Sequence, residues 1–360
     1  MSLREQKLRN LTSAGRYDVC SPGECMQYLT EAPCITYAPR RGGCGRMLRV
    51  LMHGDCAYDC AYCPIRVARE GFSFTPAELA ETFLRLHREG MADGLFLSSG
   101  IARDVDTVMH DIVETGERLR RAGYAGYLHL KVLPGAARSD IRDAARVADR
   151  ISINIEAPSA DRLGSVAGVK DYRIDIKKRQ DWVAEAMPDR HTTQLVVGVA
   201  DETDREIFAC VQEQYRRVRP TRIYYSAFRA LAGTPLADQP DTPAWRAHRW
   251  YQLDHLLREY RIDPGELDRI FDAAGSLANR DPKVILAEGM GVVDVNTASR
   301  YDLLRVPGIG PAGADRILRE RKTRHFESLR DLKAIGIRTR WAAGYLAFPR
   351  ERTVQTLLPV

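Results

Sequence analysis

Three cysteines, Cys56, Cys60 and Cys63, stand in the stretch HGDCAYDCAYCPIR with the spacing C-x3-C-x2-C. Closely spaced thiolates on one short loop are the donors of zinc and iron–sulfur sites. A closed structural zinc site takes four ligands. A 4Fe-4S cluster held by three thiolates keeps one iron open for an outside ligand, which accounts for the count of three. Four more cysteines lie upstream, Cys20, Cys25, Cys34 and Cys44, spaced C-x4-C-x8-C-x9-C in a segment rich in Gly and Pro. Such a segment buries little core, and a metal would order it. Its four thiolates suit a second iron–sulfur cluster or zinc, and the spacing does not choose. Cys210 falls inside a helical pattern and reads as core.

A loop of metal ligands needs rigid elements to hold it. From about residue 46 the chain alternates apolar or β-branched runs with longer helical patterns. The strand candidates cover 47–53, 94–99, 126–132, 151–157, 193–199 and 222–228, and each is followed by a stretch of helical period. Thr75-Pro76 reads as an N-cap with proline at the first helical position. Six strand–helix units predict a parallel sheet with right-handed crossovers. They fall short of the eight that close a barrel, so the expected fold is α/β, a partial (β/α)6 barrel around a reaction chamber. The predicted organisation is an irregular cysteine-bearing segment over 1–45, the core over 46–260, a connector over 261–291 and a small all-α module over 292–360.

Active sites of such folds gather at the strand ends. Candidates there are Ser98, Ser99 and Gly100 after the second strand, Lys131 ending the third, Asn154 and Glu156 on the fourth, and Gln194 opening the fifth. Tyr62 stands just before the last cysteine of the loop.

The last module carries the charge. Residues 292–360 hold 13 Lys+Arg against 7 Asp+Glu, and the rest of the chain holds 41 of each, so the whole net charge of +6 sits in the final fifth. That fits a solvated surface or a polyanion-binding face. The segment VNTASRYDLLRVPGIGPAGADRILRERK reads as a short helix capped at Asn296-Thr297 and ending near Arg305. A tight turn at Pro307-Gly308-Ile309-Gly310 follows, then a second helix from Pro311 to about Lys322. Glycines let such a turn approach a ligand closely, and the N–H groups opening the next helix bind a phosphate. Gly308, Ile309, Gly310, Arg316 and Lys322 are the candidate contacts, with Arg319, Arg321 and Arg324 beside them. A second copy over 328–346 keeps Gly336 but lacks the paired glycines. The composition is that of a globular protein, the first 15 residues hold no apolar run of signal-peptide length, and no stretch approaches the ~20 apolar residues of a membrane span. The expected setting is the reducing cytoplasm, with no membrane partner and cysteines that bind metal.

The cysteine loop, placed after the first of six β/α strands and with an aromatic residue before its last cysteine, resembles the radical S-adenosylmethionine (SAM) superfamily. The C-terminal segment resembles the helix-hairpin-helix motif. Together with YDVC, LFLSSGI, YLHLKVLPG, ISINIEAP, YYSAF and DPK, they resemble, over essentially the whole chain, a bacterial family described as DNA modification or repair radical SAM proteins. The resemblance implies that Cys56, Cys60 and Cys63 hold a 4Fe-4S cluster, that SAM binds its open iron, and that a 5′-deoxyadenosyl radical abstracts hydrogen from a nucleotide. It implies SAM contacts from Tyr62, Ser98, Ser99, Gly100, Lys131, Asn154, Glu156 and Gln194. The turn LSSG lacks the acidic residue common there, so backbone or serine groups would serve. DNA as partner and flavodoxin or ferredoxin as reductant follow from the same resemblance. The competing readings are an enzyme acting on RNA or tRNA and a non-enzymatic iron–sulfur protein that binds DNA.

Overall fold

The computed structural model describes residues 3–15, 28–29, 32–40, 43–66 and 71–348. The chain divides into two compact units, residues 1–248 and 249–360.

The first unit opens with α1 (Leu3–Gly15), then β1 (Tyr28–Leu29), β2 (Ala32–Arg40) and β3 (Gly43–Leu51). Helices and strands then alternate: α2 (Pro76–Arg88), β4 (Gly94–Ser98), α3 (Val105–Arg121), β5 (Tyr127–Lys131), α4 (Arg138–Val147) and β6 (Arg150–Ser152). After these come α5 (Ala160–Gly164), a π-helical turn over 172–178 running into α6 (Arg179–Ala186), β7 (His191–Val197), α7 (Asp204–Arg217), β8 (Arg222–Ala227) and the start of α8 (Ala244–Arg258), most of which belongs to the second unit. The eight strands form one sheet in sequence order. From β3 to β8 every pairing is parallel, so six parallel strands make the predicted partial barrel. β1 and β2 add to its edge as antiparallel strands.

Two expectations need correction. Residues 1–45 are not irregular, since they supply α1 and two strands. Their glycines and prolines hide the pairing, because β2 is specified by its register on β3 (Ile35 opposite Leu48, Pro39 opposite Cys44) and not by its own pattern. The fourth parallel strand is also shorter than read. The ladder ends at Ser152, and the chain rejoins β7 at Ile155 and Glu156, the latter opposite Leu195. Glu156 takes the left-handed backbone region with φ 62, an uncommon state for a residue with a side chain. This twist breaks the ladder where ISINIEA reads as one strand.

Strand alternation builds two unlike faces. Leu48, Val50, Leu95, Leu97, Leu128, Leu130, Ile151 and Ile153 point one way and pack with Leu79, Phe83, Val108, Ile112 and Ile141 of the covering helices. The opposite face carries Phe96, His129, Lys131, Ser152, Asn154, Gln194 and Tyr224 around a cleft. Thr75 caps α2 as read, in a reciprocal capping box with Glu78, and Thr203 and Glu206 form another such box on α7.

The second unit contains α9 (Pro264–Leu267), α10 (Pro282–Ala287), β9 (Val293–Asp294), α11 (Arg300–Arg305), α12 (Pro311–Glu320), α13 (Leu329–Ala334), α14 (Thr339–Ala342) and β10 (Leu346–Ala347). Its core gathers Val295, Leu303, Leu304, Val306, Ile309, Ile317, Phe326 and Leu332. The cap of α11 is Ser299, whose box partner is Asp302, not Asn296-Thr297 as read. Asn296 instead ties two segments together. Its Oδ1 accepts the Phe326 N–H at 2.8 Å and its Nδ2 donates to the Phe326 carbonyl at 2.9 Å.

Candidate functional site

The loop after β3 is held from several sides by backbone bonds. Gly54 N donates to the Phe72 carbonyl at 2.9 Å, Ala57 N to Ile101 at 2.8 Å and Ala61 N to Val166 at 2.7 Å. The Tyr58 hydroxyl reaches the Pro134 carbonyl at 3.1 Å, and the Asp59 carboxylate accepts the Val169 N–H at 3.2 Å. The three cysteines are thus fixed by the turns that follow β4, β5 and β6, at the C-terminal end of the parallel strands. Gly100 is required there by space. A Cβ on it would lie 2.2 Å from the Asp55 carbonyl oxygen, next to Cys56. The Cys56 sulfur accepts the Ile101 N–H at 3.4 Å.

Cys60 is buried, and Cys56 and Cys63 are partly so. Burial pushes the Cys63 thiol up to about 12, with the Cys60 charge adding to it, and burial raises Cys60 as well. Metal binding displaces the protons of such thiols. Among the described residues no three His, Cys, Asp or Glu side chains converge as donors to a single ion. Three thiols on one pinned loop suit a 4Fe-4S cluster.

Beside the loop lies a pair that the sequence reading half missed. Lys170 and Glu156 form an ion pair at 3.6 Å, with side chains only 6% and 12% exposed. Lys170 also hydrogen-bonds Cys60. Burial pulls its ammonium down, but the Cys60 and Glu156 charges outweigh that and hold it above its usual value. The Tyr62 hydroxyl is buried against the Glu156 carboxylate, and both burial and that charge raise its pKa. Nothing local marks Lys170 in VAGVKDY, because its partner Cys60 stands 110 residues earlier. Glu202 was also missed. It is buried, and its two carboxylate oxygens accept the Gly198 and Ala200 N–H groups, closing the turn after β7.

Of the other candidates, Lys131, Asn154 and Gln194 line the cleft. His129, on the same wall, bonds Ser152 at 2.8 Å. Burial, then the charges of Arg150, Lys131 and Arg49, hold its pKa well below the usual value, so the ring is neutral. Ser98 is buried at the strand end. The Ser99 hydroxyl is committed within its turn, accepting the His53 N–H at 3.1 Å and donating to the Gly100 carbonyl at 2.6 Å. Cys20 and Cys25 lie outside the described residues. Cys34 and Cys44 lie on β2 and β3.

In the second unit Gly308 takes the left-handed region with φ 85, and Ile309 is buried beneath the turn. Gly310 caps α12 with no side-chain bond. The N–H groups of Gly310, Ala312 and Gly313 make no backbone hydrogen bond to the described residues. Arg316 does not project freely, because its guanidinium donates to the Ile335 carbonyl in the second turn. Arg321 is turned inward to the Ala298 carbonyl at 2.6 Å. Lys322, Arg319, Arg324, Arg338 and Arg340 are exposed. The second turn repeats the first, with Gly336 at φ 77 and Ile337 buried, but Arg338 stands where the first has Gly310.

Residues 50–212 match the radical SAM superfamily, and residues 290–336 match the helix-hairpin-helix motif. The chain is 27% identical over 215 residues to the ribosomal protein uS12 methylthiotransferase RimO of Nitratidesulfovibrio vulgaris strains DP4 and Hildenborough, covering 54% of this chain and 47% of that protein. The chain thus spans about half the length of these curated relatives. Among solved structures it resembles the FeFe-hydrogenase maturase HydG of Carboxydothermus hydrogenoformans, with TM-score 0.45 and 11% identity over 54% of this chain and 47% of that one. It also resembles SuiB of Streptococcus suis, with TM-score 0.42 and 11% identity over 51% and 40%. No helix among the described residues is long and apolar enough to cross a membrane.

Proposed function

We propose that this chain, a radical SAM enzyme with a helix-hairpin-helix motif near its C-terminal end, modifies or repairs DNA. The observation that carries the reading is the hairpin with its open N–H groups in the same chain as the cysteine loop. Such a hairpin fixes position on a phosphate backbone without reading sequence. Exposed Lys322, Arg319 and Arg324 add charge along α12 and beyond it.

Cys56, Cys60 and Cys63 would hold the 4Fe-4S cluster. With SAM bound, that group supplies hydrogen-atom abstraction by a 5′-deoxyadenosyl radical. The protein's part is placement. Lys170 and Glu156 present one charge of each sign beside the loop, suited to the carboxylate and amino group of a bound amino acid. Asn154, Gln194 and Lys131 offer polar contacts along the cleft, and the Ser98-Ser99-Gly100 turn closes one side. Covering helices exclude water from the outer face of the sheet, so a reactive species meets only the chamber side. A base in duplex DNA would have to be extruded to reach it. A second cluster or zinc on Cys20, Cys25, Cys34 and Cys44, a flavodoxin or ferredoxin reductant and a cytoplasmic setting complete the reading.

RNA is the second reading, since open N–H groups also suit an RNA phosphate. A ribosomal protein, the substrate in the relative's name, is a third. The shared stretch covers 47% of that relative, and the hairpin gives the polyanion the stronger claim. The test is anaerobic reconstitution, then dithionite and SAM with duplex DNA, tRNA or neither. Formation of 5′-deoxyadenosine stimulated by DNA supports the reading. Stimulation by tRNA alone replaces it. In a C56A/C60A/C63A variant, loss of about four irons assigns the first cluster, and residual iron assigns a second one upstream.

A further inference from the structure

Lys283, on α10, is buried at 8% exposure inside the second unit. Its ammonium donates to the main-chain carbonyl of Ile309, in the turn between α11 and α12. The ammonium also lies over the Tyr260 ring, 4.7 Å from its centre. The ring's hydroxyl in turn faces Gly310, where an added Cβ would lie 3.1 Å from it. Placing a lysine in a hydrophobic core is costly unless the charge has a use, and none of the roles assigned above accounts for it.

The bonded carbonyl and the Gly310 N–H belong to one peptide unit. A trans peptide is planar, and its N–H points opposite to its C=O. A cation held on the carbonyl from inside therefore turns the N–H outward. It also polarises the amide, which strengthens the donor. We propose that Lys283 is the positioning residue of the hairpin, holding the Ile309–Gly310 peptide so that its N–H, with those opening α12, receives a nucleic-acid phosphate. The ammonium's positive charge adds to the field at the helix start. This rests on the reading that the chain binds nucleic acid.

Charge on Lys283 gives the role a signature. Burial, the larger effect, pulls its pKa down to about 7, and the Asp281 carboxylate at the start of α10 pulls the other way. His255 of α8 meets the Tyr260 ring edge-on, with 5.2 Å between the ring centres. The Tyr260 phenol is raised by burial and stays neutral. Arg305 of α11 is paired with Glu266 of α9 at 2.5 Å. Asp268 and Arg269 face solvent. A phosphate at the hairpin favours the charged lysine, so binding takes up a proton where the free protein has lost it. Affinity should therefore weaken as pH rises through about 7.

The experiment is fluorescence anisotropy of a random-sequence duplex DNA against the full chain, at fixed salt from pH 6 to 8.5, with wild type, Lys283→Met and Lys283→Arg. Lys283→Met is expected to bind about tenfold more weakly at pH 6, to lose the pH step, and to meet wild type at pH 8.5. Lys283→Arg, always charged, should keep its affinity at pH 8.5. Parallel wild-type and Lys283→Met profiles, or affinities equal at pH 6, overturn the inference while leaving the nucleic-acid reading intact. Wild type that binds the duplex at no pH removes both. Should Lys283→Met fail to fold by circular dichroism, the wild-type step and its absence in Lys283→Arg decide the matter.

Discussion

Replacing Gly100 by Ala adds one carbon at the tightest point of the metal loop. The new Cβ would stand 2.2 Å from the Asp55 carbonyl oxygen and 3.1 Å from that of His53, where ordinary contact begins at 3.4 Å. Something must therefore move by roughly 1 Å. The neighbours are backbone, tied down on both sides: Gly100 N donates to the His53 carbonyl at 2.9 Å, and Ala57 N donates to Ile101 at 2.8 Å. Neither side can rotate away as a flexible side chain would. Overpacking of this kind costs about 1–3 kcal/mol. In a unit of this size each kcal/mol lowers Tm by about 2–4 °C, so a drop of about 2–12 °C is expected. The displaced carbonyl adjoins Cys56, so the variant should also hold less iron after anaerobic reconstitution. Gly164→Ala is the matched control, because a Cβ there meets nothing within 4 Å, and it should keep both Tm and iron. The assay is a melt of the metal-free chain, followed by iron and sulfide counts on the reconstituted one. Gly100→Ala with wild-type Tm and full iron would overturn this account, since the loop would then have room that the geometry denies it.

Two further perturbations test the surroundings. Lys170→Met leaves the Glu156 carboxylate buried without its partner at 3.6 Å. Breaking one side of a buried pair costs about 3–5 kcal/mol, and the double change Lys170→Met/Glu156→Gln should recover much of it; denaturant melts in which the double variant is no better than the single would count against the pairing. Asn296→Ala removes both bonds to the Phe326 backbone, at 2.8 and 2.9 Å. Leaving these groups unpaired should cost about 1–3 kcal/mol and raise hydrogen exchange at Phe326, with a protected Phe326 amide as the contrary result.

Much of this arrangement was legible in the chain. The six parallel strands announce themselves because each pairs an apolar run with a helix of 3.6 period. The loop of Cys56, Cys60 and Cys63 and the turn at Gly308 and Gly310 are local spacings, and local spacings survive translation into structure. What could not be read depends on meetings between distant residues. Lys170 is an ordinary lysine until the turn after β6 brings it against Cys60. Lys283 follows a plain Asp-Pro helix start and gains meaning only from the Ile309 carbonyl. Ser299 lost to Asn296 as a candidate cap because both types can cap. The choice was made by Asn296 finding better partners at Phe326, 30 residues away.

The polar wall of the cleft follows from stopping the barrel at six strands. Parallel sheets covered on both faces read as continuous apolar runs. Here helices cover one face alone, so the strands alternate, and the inner positions are free to be His129, Lys131, Ser152, Asn154 and Gln194. That alternation is what furnishes the chamber. Polar residues in a strand that also carries Leu128, Leu130, Ile151 or Leu195 outward are therefore better read as lining than as exposure. By this criterion Arg49, buried at 2% on β3 and stacked near Phe96 at 6.0 Å, belongs with the chamber wall. Its cation joins those of Lys131 and Arg150 around the neutral His129.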